Sequence, residues 1–252
     1  MLSTAQIARY HEDGYLIPDF RMPAGILATI RARHSALVDR YPAYRDYCPA
    51  LLDLDPGFLE ACSQPAVVEM VSALVGEDLA LWNASFFAKP AHNGKRTPWH
   101  QDGAYWPITP LATCTVWLAV DDSTTDNGCL RVLRGSHREQ RVRTHRQLHA
   151  EDVTLNQELR PEEYEPERAV DLVLEAGQIS LHDVYLLHGS EANSSPHPRR
   201  AMTMRFMPTT SHFDRELAVH KARTMNIVDH SRRPVYLVRG VDRCGKNSFA
   251  NA

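Results

Sequence analysis

The 252-residue sequence predicts a mainly β fold with flanking helices, a closed β-scaffold, on three observations. Apolar residues recur at helical spacing only in the first 76 residues. From Leu79 onward short apolar runs are divided by Pro, Gly, Asn and Asp clusters, which is how many short strands read. His100 and His188 stand at the ends of such runs, at the mouths of strands in a closed scaffold.

Taken in order, Ser3-x-x-Gln6 is a capping box that opens a short helix, and Gly14 stops it. A second helix is predicted over 23–41, with Ile26, Ile30, Leu37 and Tyr41 in one stripe and His34 as its one polar interruption. A third runs over 64–74 and ends at Gly76. Strands follow over 79–87, 113–120, 179–187 and 199–206. The charged stretch 138–168 reads as a solvated excursion or lid between strands. No internal repeat is present, and the length suits one domain over 1–252 with a sizeable core.

Composition narrows the function classes. The formal net charge is −3 with acids and bases interspersed, which leaves no electrostatic footprint for nucleic acid or an anionic membrane, and neither partner is expected. The longest apolar runs, such as 79–82, fall far short of a membrane span. Five scattered cysteines without a Cys-x-x-Cys pair argue against a disulfide framework and a cysteine zinc site. The amino terminus lacks a secretory pattern and the carboxyl terminus a peroxisomal Ser-Lys-Leu address, so a soluble cytoplasmic protein is expected. The oligomeric state is not legible.

The chemistry is concentrated in Trp99-His100-Gln101-Asp102 and in a distant His188 followed by Arg199 and Arg200. In an extended segment His100 and Asp102, two apart, point to the same side and can reach one metal ion. His188 would complete the set. Two imidazoles and one carboxylate on one face of an octahedral ion leave three positions open, the arrangement used by non-haem iron. A lone His-x-Asp is a weak signal among 13 histidines. The same three residue types also suit zinc in a hydrolytic site.

The chain resembles the phytanoyl-CoA dioxygenase family of Fe(II)/2-oxoglutarate oxygenases over nearly its whole length. The residues that carry the resemblance are the opening 6–16, Trp99-His100-Gln101-Asp102, the strand 115–120, Asn127-Gly128-Cys129-Leu130, Gly135-Ser136-His137, and His188-Gly189-Ser190 leading to Arg199. It implies a double-stranded β-helix core, jelly-roll and cupin-like, with His100, Asp102 and His188 as iron ligands and O₂ as a further reactant. Arg199 matches the arginine that grips the far carboxylate of 2-oxoglutarate, and this arginine speaks against the zinc reading. Strand alternation puts Arg199, Ala201, Thr203 and Arg205 on one face and Arg200 on the other, so only one of the paired arginines can face the site.

Further contacts to 2-oxoglutarate are implied for Gln101, Trp117, Thr97 and Ser190. Tyr105, Trp106, Phe86 and Lys89 are candidates for the substrate pocket, and His182 is either a partner supporting the metal ligands or, the favoured reading, a hydrogen-bonded core histidine. Arg134 stands where the family commonly has proline, which touches no ligand. Because Asp102 is retained where halogenating relatives have a small residue, hydroxylation of a C–H bond with release of succinate and CO₂ is expected. Desaturation, epoxidation or rearrangement would use the same residues, and a silent binding protein of the same fold is the alternative outside catalysis. No cluster of bases suits the phosphates of a CoA thioester, which favours a free small molecule as substrate.

Overall fold

A computed structural model describes residues 1–250. Helix α1 (Thr4–Asp13) leads into β1 (Tyr15–Leu16), α2 (Ala24–Arg40) and β2 (Tyr47–Cys48). Two short helices, α3 (Leu51–Leu54) and α4 (Leu59–Cys62), precede α5 (Pro65–Val75). Next come β3 (Leu79–Lys89), β4 (Thr97–His100), β5 (Ile108–Thr109), β6 (Cys114–Ala119) and β7 (Leu130–Val132). A hairpin of β8 (His145–Gln147) and β9 (Gln157–Leu159) is followed by β10 (Val170–Leu172), β11 (Ile179–Asp183), β12 (His188–Ser190), β13 (Arg199–Pro208) and β14 (His212–Phe213). Helix α6 (Arg215–Met225) and β15 (Tyr236–Arg239) come last in this order.

The larger sheet runs β1-β11-β6-β13-β3-β15, with β2 also on β3, and the smaller runs β10-β7-β12-β4. All their pairings are antiparallel. Facing residues of the two sheets line one cavity, the arrangement of a jelly-roll. Strand alternation sorts the larger sheet into two unlike faces. Phe86, Val116, Leu118, Met202 and Met204 form its outer face and pack with Leu27, Ile30 and Leu37 of α2 and Val67 and Val71 of α5. Thr115, Trp117, Thr203 and Arg205 form its inner face and look into the cavity. One apolar face held by helices thus frees the other to be polar. Each Leu- or Phe-sized side chain buried on the outer face contributes about 1.5–3 kcal/mol.

The predicted helices form with small changes. Ser3 Oγ accepts from the Gln6 backbone N–H while the Gln6 side chain accepts from Ser3 N–H, and Gly14 ends α1 in the left-handed region at φ 83°. In α2 the buried stripe is Leu27, Ile30, His34 and Leu37. His34 therefore belongs to the stripe: its ring stacks on Phe86 with centroids 4.1 Å apart, and burial pushes its pKa down to about 4, so it packs as a neutral ring. The expected strand over 179–187 is corrected. β11 ends at Asp183, whose side chain accepts from Tyr185 N–H, and after this turn His188 opens β12 in the other sheet. The charged stretch 138–168 contains the β8–β9 hairpin, which is tied down by Arg96 and Arg146 on Glu158 at 3.0 and 2.7 Å.

Candidate active site

His100 ends β4 and His188 begins β12, and the antiparallel register pairs these two residues directly. Their rings lie side by side with centroids 4.1 Å apart. Extended backbone at Gln101 (φ −116°, ψ 132°) carries Asp102 to the same side as His100. Asp102 Oδ1 is 3.8 Å from His100 Nε2 and 4.0 Å from His188 Nε2, and one ligand atom from each residue lies within 4.8 Å of the others. The Nδ1 of His100 lies 2.8 Å from the Pro98 carbonyl and that of His188 2.9 Å from the Leu186 carbonyl. A carbonyl only accepts, so each Nδ1 carries the proton and each Nε2 keeps a lone pair toward Asp102.

The electrostatics agree with that assignment. Burial pushes His100 down to about 4 and His188 well below its ordinary value, so both rings are neutral. Burial pushes the Asp102 carboxyl up, but the adjacent His182 and the charge of Arg205 outweigh it and hold the group below the usual carboxylate range. Its second oxygen, Oδ2, accepts from Thr115 Oγ1 at 3.1 Å, which leaves Oδ1 to face the imidazoles. Two neutral imidazole lone pairs and an ionised carboxylate oxygen form a donor set that fits a divalent ion such as Fe(II).

Arg199 lines the same cavity. Arg199 is 2% exposed, and burial pushes its pKa down to about 10. Its guanidinium donates to the Phe87 carbonyl at 3.2 Å and the Gly128 carbonyl at 2.8 Å, its Nε has no partner, and it lies 5.4 Å from the centre of the Trp117 ring. Among the described residues no carboxylate pairs with it, whereas Arg200 on the opposite face makes two side-chain hydrogen bonds to Asp121. A buried, unpaired guanidinium facing three convergent metal donors is suited to a dicarboxylic acid that also reaches the metal.

Of the other predicted residues, Thr97, Trp117 and Ser190 line this cavity, and Tyr105 and Trp106 line an outer chamber that shares Phe87, His100, Asp102 and Arg205 with it. Three do not belong. Gln101 points away from its neighbours His100 and Asp102: its amide donates to the Arg141 and Tyr185 carbonyls and accepts from Arg143 N–H. Phe86 sits on the outer face against His34, and Phe87, one residue on, lines the cavity in its place. Lys89 stands opposite Arg199 in the β3–β13 register with its ammonium on the Lys95 carbonyl, outside the walls of both chambers.

Of the two readings of His182, its position favours the partner beside the metal ligands over the hydrogen-bonded core histidine. Neither ring nitrogen has a well-formed hydrogen bond, and Nε2 lies 3.4 Å from Asp102 Oδ2 in the cavity wall. Thr115, Thr203 and Arg205 were not singled out, although Thr115 is two before Trp117 and the other two share the Arg199 face by alternation. Tyr47, Asn83 and His230 of the outer chamber come from separate elements, and no local spacing connects them.

The model of the family described as "Phytanoyl-CoA dioxygenase (PhyH)" matches residues 43–201, which include both histidines, Asp102 and Arg199. The chain is 31% identical over 176 residues to the phytanoyl-CoA dioxygenase domain-containing protein 1 homolog of Dictyostelium discoideum, covering 68% of this chain and 62% of that one. It is 29% identical over 165 residues to the peroxisomal phytanoyl-CoA dioxygenase of Homo sapiens, covering 63% and 48%. The chain thus spans about half to three-fifths of the length of these relatives. Among solved structures, the non-haem monooxygenase ThoJ in its apo form superimposes with a TM-score of 0.73 at 23% identity, over 97% of this chain and 86% of that one.

Proposed function

Because the chain belongs to the phytanoyl-CoA dioxygenase family, we propose that it is an Fe(II)/2-oxoglutarate-dependent oxygenase that hydroxylates an unactivated C–H bond of a small molecule. The observation that carries the reading is Arg199, a buried cation without a carboxylate partner, in one cavity with His100, Asp102 and His188. His100, Asp102 and His188 would hold the iron. Arg199 takes the far carboxylate of 2-oxoglutarate, and Trp117, Thr97 and Ser190 form the walls around it. Fe(II) bound there with 2-oxoglutarate and O₂ would supply the oxidising power for hydroxylation, with succinate and CO₂ as the coproducts.

The protein's share is geometry and exclusion of water. Thr115 holds Asp102 Oδ2, so that Oδ1 stays directed at the histidines, and the two backbone carbonyls fix both imidazole rings. Outer-face packing by the helices keeps β3, β6 and β13 rigid beneath Arg199. The outer chamber, which opens beside His100 and Asp102, receives the substrate.

With Asp102 as the third ligand residue beside His100 and His188, a bound iron would have a carboxylate in the position a halide would otherwise need, and oxygenation would be expected even in abundant chloride. The test is product mass under ¹⁸O₂ with chloride or bromide present, once a substrate is found. One ¹⁸O in the product and stoichiometric succinate is the expected result. A halogenated product would remove the role given to Asp102, and full activity without 2-oxoglutarate would remove the reading as a whole.

A further inference from the structure

Arg205 stands in the wall of the outer chamber with one edge of its guanidinium free of protein partners, and we infer that the substrate carries a carboxylate gripped by it. The inference rests on the outer chamber being the substrate site of the oxygenase proposed above. Arg205 projects from β13 and borders both chambers, with 5% of its surface exposed. Its Nη1 donates to Ser85 Oγ at 2.6 Å, and its guanidinium lies 5.1 Å from the centre of the Trp106 ring. Nε is buried without a partner, and the Nε–Nη2 edge, which takes a carboxylate side-on, makes no protein hydrogen bond. No carboxylate pairs with Arg205 among the described residues, and Asp102 is turned to Thr115 and the histidines.

A second cation stands behind it. Arg233, 4% exposed, donates from Nε to His230 Nδ1 at 2.6 Å and from Nη1 to Asn83 Oδ1 at 2.9 Å. Asp53 acts on Arg233 only from beyond ion-pair distance. Since His230 Nδ1 and Asn83 Oδ1 are both occupied as acceptors, His230 keeps its proton on Nε2, while the Asn83 amide nitrogen donates to Ser85 Oγ at 3.4 Å. Burial, Arg233 and Arg205 push His230 down to about 3, so it donates as a neutral ring. Asp102 acts on Arg205 only from beyond ion-pair distance, and a buried guanidinium with no carboxylate on its fork gains from a planar anion that completes it. Trp106, Tyr47 and Tyr105 give the rest of the molecule an apolar wall.

The test compares acids with their primary amides: phenylacetate with phenylacetamide, indole-3-acetate with indole-3-acetamide, and hexanoate with hexanamide. Binding is measured by calorimetry on anaerobic protein loaded with Fe(II) and saturating 2-oxoglutarate. At least one acid should bind roughly tenfold or more tighter than its amide, and Arg205→Gln should erase that preference while leaving 2-oxoglutarate affinity within about threefold. Arg205→Lys keeps the charge without the fork, and should weaken the acid but not the amide. An acid–amide difference that is absent, or that survives Arg205→Gln, overturns the inference. So does an equal loss of 2-oxoglutarate binding, which would assign Arg205 to the cosubstrate. Should the iron–2-oxoglutarate complex itself fail to form, the oxygenase reading falls, while the same comparison on Zn(II)-loaded protein still judges the anion pocket.

Discussion

Arg199 and Arg200 follow one another in β13 and face opposite sides of the larger sheet. Arg199→Ala removes a buried charge-assisted partner of 2-oxoglutarate, so the concentration needed for half-maximal turnover should rise by about 100-fold or more, a loss of several kcal/mol. Arg200→Ala breaks a half-buried pair with Asp121 and should cost about 1 kcal/mol of stability with little change in that concentration. Titration of 2-oxoglutarate in both variants decides it, and equal effects would mean a register shifted by one residue. Thr115→Val frees Asp102 Oδ2 and should weaken Fe(II) binding by about 10-fold, measured by competition with a chelator. This choice between arginines was legible in the sequence because period-two alternation is local. Phe86 was misplaced for the complementary reason: which face of β3 looks inward depends on its pairing with β13, and no local pattern states that register.

At the scale of elements, the decisive event is the change of sheet between Asp183 and His188. The run 179–187 reads as one strand because Val184, Leu186 and Leu187 are apolar and buried, each in a separate cluster, so Asp183 is the one polar residue that marks the turn inside it. Gln101 shows what that turn holds together. Its amide bridges the Tyr185 carbonyl of the turn to Arg141 and Arg143 of the charged lid, and its backbone N–H donates to His145 Nε2. Gln101→Leu should therefore speed amide hydrogen exchange over 139–147 while leaving 2-oxoglutarate binding nearly unchanged. Loss of 2-oxoglutarate binding without faster exchange would return Gln101 to the cosubstrate.

For the whole molecule, burial of histidines makes stability depend on pH. His34, His100 and His230 bind protons at about 4, 4 and 3 in the fold, against the ordinary 6.5 that an unfolded chain would show. Between those values the unfolded state holds more protons, so the metal-free protein should lose stability as pH falls from about 6.5 toward 4, by up to about 1.4 kcal/mol per unit for each group. Urea midpoints from pH 7.5 to 4.5 check this, and a flat profile would contradict it. The jelly-roll and its three donors were readable because motif order and strand texture survive in one dimension. The outer chamber was not, since Tyr47, Asn83, Arg205 and His230 meet only when β2, β3, β13 and the segment after α6 converge. The central claim, one iron held by His100, Asp102 and His188 with 2-oxoglutarate reaching it from Arg199, is tested most directly by anaerobic visible absorption. Protein with one Fe(II) per chain should develop a weak metal-to-ligand charge-transfer band on adding 2-oxoglutarate, and His188→Ala should abolish both the iron and the band. A wild-type protein without the band, or a His188→Ala variant that keeps it, would contradict the account.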